Sequence, residues 1–226
     1  MAYCILIDTS TERGIIALSM NGEEVFRQEL PFGLNQSKFL LPLLSKVLND
    51  FSLQGTNIES IGVGVGPGSY TGIRIGVSVS QAFAYAWKVP LIEIPTLCGF
   101  VPFEKDVKFA AVIDARIGGV YLQIGQINKD GQVIYEKESF NVSLEEGGDL
   151  LKTVKLLVTP NHQALKAKFD LQFPENGWKW VERAPCVSTL LIKMREKKAK
   201  GEVVISPEKV SILYLRETEA ERSKKF

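Results

Sequence analysis

Residues 107–139 read VKFAAVIDARIGGVYLQIGQINKDGQVIYEKES, and residues 3–30 read YCILIDTSTERGIIALSMNGEEVFRQEL. Each opens with an apolar run, the mark of a buried strand, and each run ends in an aspartate, Asp8 in one and Asp114 in the other. A short turn and an alternating strand follow. Then come Asn21-Gly22 or Asp130-Gly131, both strong hairpin signals, and a further strand. The same order of parts at a spacing of about a hundred residues predicts an internal duplication. The fold class that follows is α/β, with a duplicated strand–Asp–turn unit.

Outward from these repeats, Phe39, Leu40, Leu43, Leu44, Val47 and Leu48 fall at helical spacing between about Asn35 and Asp50. SIGVGV (60–65) reads as a strand, Thr71 to Trp87 as a helix and VPLIEI (89–94) as a strand. Proline, glycine and charge cluster between Pro95 and Asp106, which places a boundary there and divides the chain into lobes 1–100 and 101–226. In the second lobe, SLEEGGDLL (143–151) reads as helical and LLVTP (156–160) as a strand. VSTLLIKMREKKAKGE (187–202) also reads as helical, with Ser188 as its predicted cap. The C-terminal end is charged.

A formal net charge of +1 over 226 residues predicts no global attraction to nucleic acid or membrane. Cys4, Cys98 and Cys186 are odd in number and far apart, which argues against a disulfide framework and against a cysteine zinc site. No apolar run is of membrane-spanning length and the N-terminus lacks a basic leader, so a cytoplasmic protein is expected. The basic run KMREKKAK (193–200) is broken by Glu196 and has no aromatic interleaved, so it reads as a solvated helix face.

The chemistry-bearing stretch is GVGVGPGSYTGIR, residues 62–74. A glycine turn between strand and helix invites a phosphate, but no lysine completes a GxxxxGK[ST] loop. Gly66, Gly68 and Gly72 form GxGxxxG, one residue too long for a dinucleotide fingerprint, and Glu93 is the nearest candidate for its distal acid. Behind the turn, Gly72, Gly76, Ser80 and Ala84 recur every fourth residue, flanked by Ile73 and Val77. Such a stripe lets another backbone approach closely. That backbone belongs either to the chain's own sheet or to a second protein, to which Arg74 would offer a charged contact.

ILIDTST (5–11), GVGPGSYTGIRIGVSVSQAFAYAWKVPL (64–91) and AVIDARIGGVY (111–121) together resemble the bacterial TsaB/YeaZ family, with YLRETE (214–219) a looser match. The resemblance implies a two-lobed actin/hexokinase/Hsp70-like (ASKHA) architecture with duplicated mixed β-sheet units, and a role in making threonylcarbamoyladenosine in tRNA, next to the anticodon. It implies a non-catalytic subunit that scaffolds and activates a TsaD-type transferase, with a TsaE-type ATPase reached through the complex. The chain alone would be a homodimer, and tRNA would be met only indirectly. It also implies that the glycine-turn helix, with Gly72, Ile73, Gly76, Val77, Ser80 and Ala84, forms the contact with TsaD and with a second copy.

Transferases of this superfamily carry an HxxxH metal pair. With His162 alone no such pair exists, so neither a catalytic metal nor a metalloprotease is expected. Where relatives carry histidine before the first helix, this chain has Gln36. In the wider superfamily, aspartates placed like Asp8 and Asp114 face nucleotide phosphates and magnesium, and the Thr9 and Ser10 hydroxyls could assist. ATP or ADP with Mg is thus the cofactor to test, though none is required. The same Asp-Thr-Ser is equally a turn that satisfies its own backbone. The alternative function is a stand-alone ATP-dependent kinase-like or acyl-phosphate-transferring enzyme using Asp8 and Asp114.

Overall fold

The computed structural model describes residues 2–33, 35–116, 119–175 and 177–213. The YLRETE stretch and the charged tail lie outside the described residues, as do Ile117 and Gly118 of the turn after Asp114.

The duplication is present strand for strand. The first unit runs β1 (Tyr3–Asp8), β2 (Ile15–Met20), β3 (Glu23–Glu29), α1 (Ser37–Asp50), β4 (Ile58–Gly64), α2 (Tyr70–Trp87) and β5 (Leu91–Ile94). Its sheet has the order β3-β2-β1-β4-β5. The β1–β2–β3 meander is antiparallel, while β4 and β5 join in parallel. The second unit comprises β6 (Val107–Asp114), β7 (Val120–Ile127), β8 (Val133–Tyr135), β9 (Phe140–Val142), α3 (Leu144–Leu150), β10 (Leu156–Thr159), α4 (His162–Gln172) and β11 (Lys179–Glu182). Its order is β11-β10-β6-β7-β8, with β9 also on β7. Again the meander is antiparallel, and β10 and β11 are parallel additions.

Local chemistry explains the turns. Asn21 and Gly22 both have positive φ, +53° and +86°, as a two-residue hairpin matched to strand twist requires. The Asp130-Gly131 hairpin is longer than the sequence signal suggests. It occupies residues 128–132, because the Asn128 side chain accepts from the Asp130 and Gln132 N–H groups and organises the loop itself. Asp8 and Asp114 repeat one motif at the ends of β1 and β6: each carboxylate accepts the N–H two residues on, at 2.8 Å.

Apolar side chains cover both faces of both sheets. In the first unit, α1 and α2 enclose a core with Ile5, Ile7, Ile16, Leu40, Leu44, Ile61, Val63 and Ile73. In the second, α3 and α4 cover the face that carries Ala110, Val112, Leu122 and Leu157, with Phe169 fully buried. The opposite face of the first sheet is covered by α5 (Val187–Ala199), whose Val187, Leu190, Leu191 and Met194 meet Leu6, Ile15, Ala17, Ile92 and Ile94.

The expected division at residue 100 therefore needs correcting. It separates the two sheets, but residues 187–213 return to the first unit. After α5, Val204 bridges to Leu91, the Leu213 N–H donates to the Val65 carbonyl, and Val210 and Ile212 join the first core. An apolar helix face packs on whichever sheet face is bare, and sequence order does not decide which one. The expected cap of α5 also shifts: Cys186, not Ser188, is the N-cap residue, and its side chain makes no capping bond.

Candidate functional site

Of the residues singled out in the sequence, Asp8, Thr9, Ser10 and Gly72 gather at the C-terminal ends of β1 and β4, where the loop after Asp8 meets the glycine turn. Asp8 is 2% exposed. Burial pushes its carboxyl above the usual range, outweighing the Ser10 N–H and hydroxyl that favour the charged form. Its Oδ2 is buried with no hydrogen-bond partner among the described residues. The carboxyl lies so close to β4 that a Cβ on Gly64 would collide with it, so Gly64 is required by close approach.

Thr9 and Ser10 hold the glycine turn in place. The Thr9 hydroxyl donates to the Gly72 carbonyl at 2.6 Å, and the Ser10 carbonyl accepts the Ser69 N–H at 2.6 Å. Thr96, fully buried, links the rest: its hydroxyl donates to Ser10 Oγ (3.0 Å) and accepts the Gly66 N–H (3.2 Å). The Gly72 N–H donates to Ser69 Oγ, which caps α2. The N–H groups of Gly66, Ser69 and Gly72, the type of donor a phosphate loop presents, are thus engaged within the chain. Nothing in the local sequence announces Thr96; the sheet brings it from residues away.

The small-residue stripe on α2 faces inward. Ile73, Gly76, Val77, Ser80 and Ala84 are buried against the first sheet, and Gly72 is half-buried. A Cβ on Gly76 would sit 2.6 Å from Thr9 Oγ1, and one on Gly72 would collide with the Thr9 carbonyl. The expectation that these six residues form a partner surface is corrected: the backbone that approaches them is the chain's own β1 and the loop after it. Thr71, Arg74, Ser78, Ala82 and Tyr85 form the exposed flank of the helix, with Tyr85 79% exposed and Arg74 stacked 4.0 Å above the Tyr70 ring.

On the second unit, Asp114 is bound through both carboxylate oxygens by Lys168 Nζ of α4, each at 2.8 Å. Sequence reasoning missed this lysine because the contact spans 54 residues. It also missed Arg13, which ties the loop after β1 to the second sheet. Arg13 Nε donates to the Pro160 carbonyl (2.8 Å), Nη1 to Glu29 (2.8 Å) and Nη2 to Glu182 (2.5 Å). Burial opposes ionisation of Glu182, but the His162 N–H and ring together with Arg13 prevail and hold its carboxyl at about 2. His162, the first residue of α4, is thus a partner of Glu182 at the helix start. Gln36 is buried; its Nε2 donates to the Thr11 carbonyl (2.7 Å), while Oε1 has no partner among the described residues. Among the described residues, no three His, Cys, Asp or Glu side chains converge on a possible metal position, and no helix is long and apolar enough to cross a membrane.

Comparison with known proteins agrees with this geometry. Residues 34–178 match the family model for TsaD, tRNA N6-adenosine threonylcarbamoyltransferase. The chain is 31% identical over 137 residues to the tRNA threonylcarbamoyladenosine biosynthesis protein TsaB of Haemophilus influenzae, covering 59% of this chain and 54% of that protein. Against the Escherichia coli TsaB it is 32% identical over 131 residues, 56% of each. The match thus spans about half the length of these curated relatives. In fold it is similar to YeaZ from Pseudomonas aeruginosa, with a TM-score of 0.74 at 21% identity over 95% of this chain and 100% of the other. That likeness extends through both units, so the two-lobed actin-like architecture covers nearly the whole chain. The matched model spans well over half of the sequence, and the chain belongs to the TsaD family, in its TsaB/YeaZ branch.

Proposed function

We propose that this chain is a non-catalytic subunit of the machinery that makes N6-threonylcarbamoyladenosine in tRNA, and that it acts by binding and activating a TsaD-type transferase. The relatives named for this pathway support the role. The observation that carries the non-catalytic reading is the engagement of the strand-end groups. The Thr9 and Ser10 hydroxyls hold the glycine turn, and Lys168 neutralises Asp114. Asp8 is sealed against Gly64. Groups occupied in this way are structural, so no nucleotide or magnesium is required. The kinase-like alternative is not favoured.

The transferase meets the exposed flank of α2, where Arg74 and Tyr85 supply the aromatic and guanidinium anchors common at contact centres. A second copy of the chain uses the same flank when no transferase is present, so homodimer and heterodimer compete. A TsaE-type ATPase joins through the complex, and tRNA is contacted by the partner. The test is pull-down of a purified TsaD-type transferase, followed by sedimentation. Tyr85→Asp and Arg74→Glu should leave circular dichroism unchanged yet abolish both associations. Folded variants that still bind and still dimerise would remove this flank from the contact. Calorimetry of the isolated chain with ATP and Mg should give no heat of binding; tight binding with turnover would restore the enzyme reading.

A further inference from the structure

At the end of β1 opposite Asp8, a cavity of about 250 Å³ opens between the first sheet and α5. Ligand pockets start at roughly 300 Å³, so this one suits a fragment-sized molecule. Its apolar wall is formed by Leu191, Met194 and Cys4, and Cys4 Sγ lies 3.2 Å from the fully buried Ser60 Oγ. Charge surrounds the mouth: Glu59, Lys198 and Arg195.

The cations of α5 differ in one respect. Lys193 pairs with Glu196 and Lys197 with Glu202, and Lys198 pairs with Glu59 at the cavity mouth. Arg195 also lines the cavity, its stem close to Gly22, and has no ion pair or hydrogen bond among the described residues. Among the described residues, the mouth therefore carries one uncompensated positive charge above an apolar wall. We propose that this cavity binds a small carboxylate with a short apolar body. Arg195 receives the carboxylate, for which the planar guanidinium fork is geometrically suited, and the body rests on Leu191, Met194 and Cys4. The proposal stands apart from the transferase-binding role, since α2 takes no part in it.

Cys4, half-exposed at the wall, reports on the site. Iodoacetate and iodoacetamide alkylate a thiolate by the same displacement of iodide, but only the first is an anion. Their rates at Cys4, read by peptide mass spectrometry on the full chain, give a ratio that measures local preference for a carboxylate. In Arg195→Gln the iodoacetate-to-iodoacetamide ratio should fall by roughly two- to fivefold, the order expected for one unit charge a few Å from the reagent in water. Millimolar isovalerate should slow alkylation of Cys4 in the unaltered chain while sparing Cys186. Arg195 is exposed, and the buried Cys98 should stay unreactive in the variant, which verifies its fold. Should the variant misfold, isovalerate protection of the unaltered chain decides alone. A ratio indifferent to Arg195→Gln in a folded variant, or isovalerate failing to protect Cys4 selectively, would overturn the proposal.

Discussion

Gly76→Ala tests where the small-residue stripe of α2 is directed. In an exposed helix interior this change is stabilising by about 1 kcal/mol, because alanine is the better helix former. Here the new methyl would lie 2.6 Å from Thr9 Oγ1 and 3.7 Å from Ile7 Cγ2. The Thr9 hydroxyl cannot move aside freely, since it donates to the Gly72 carbonyl at 2.6 Å. Losing that bond costs about 1 kcal/mol, and overpacking a tight contact adds about 1–3 kcal/mol. The steric cost outweighs the propensity gain, leaving a net loss of about 1–3 kcal/mol. For a chain of this size that lowers Tm by roughly 2–12 °C. Differential scanning calorimetry of the single variant and of Gly76→Ala in a Thr9→Ala background measures it. Removing the hydroxyl should relieve most of the added cost, giving a coupling of about 1–2 kcal/mol. Gly76→Arg, with far more bulk, should fail to fold. A higher Tm for Gly76→Ala, with no coupling to Thr9, would refute the inward orientation and return the stripe to a partner.

Arg13→Ala removes three hydrogen bonds, two of them to residues of the second unit. The ion pairs are about a quarter exposed and solvent-screened, so the expected loss is about 1–3 kcal/mol, with faster amide exchange at the ends of β10 and β11; unchanged exchange there would contradict the link. Glu182 has a folded-state pKa of about 2, below its unfolded value near ~4.3, so its contribution is present above that unfolded value and is lost as pH falls through about 2. The stability gap between the unaltered chain and Glu182→Gln should be level from neutral pH down to about 5 and then close; a gap that closes on going alkaline would reverse the sign. Asp8 behaves oppositely: with its pKa raised by burial, its contribution is lost as pH rises through the folded value. In urea denaturation, Asp8→Asn should therefore gain on the unaltered chain as pH rises above the ordinary carboxylate range, and a difference independent of pH would contradict a sealed carboxyl.

Much of the fold was legible because it repeats. Two strand–Asp–turn meanders, with hairpin signals in matching places, fix antiparallel pairing locally, and the parallel additions follow from the intervening helices. The inward or outward direction of the α2 stripe was not legible. Gly72, Gly76, Ser80 and Ala84 say that a backbone comes close, but not which one, and that answer depends on Thr9 some 60 residues away. The return of α5 to the first sheet escaped for the same reason, since its apolar face would suit either unit. Short strands such as β9 and β11 carry too few residues for a period to show. At the candidate site, Asp8 and Asp114 were found from their strand ends, whereas Thr96, Lys168 and Arg13 reach it only through long-range contacts. Thr96 and Lys168 change the reading, because they occupy the Ser10 hydroxyl and the Asp114 carboxylate that a nucleotide and its magnesium would otherwise use.

The most direct measurement is formation of N6-threonylcarbamoyladenosine on a tRNA transcript by a purified TsaD-type transferase and its activated donor. It is made with and without this chain, and with its Asp114→Asn variant. The expected result is modification that rises when the chain is added, none from the chain alone, and full activation by Asp114→Asn. A transferase whose yield ignores the chain would contradict the proposed role, as would loss of activation in an Asp114→Asn variant that still binds its partner.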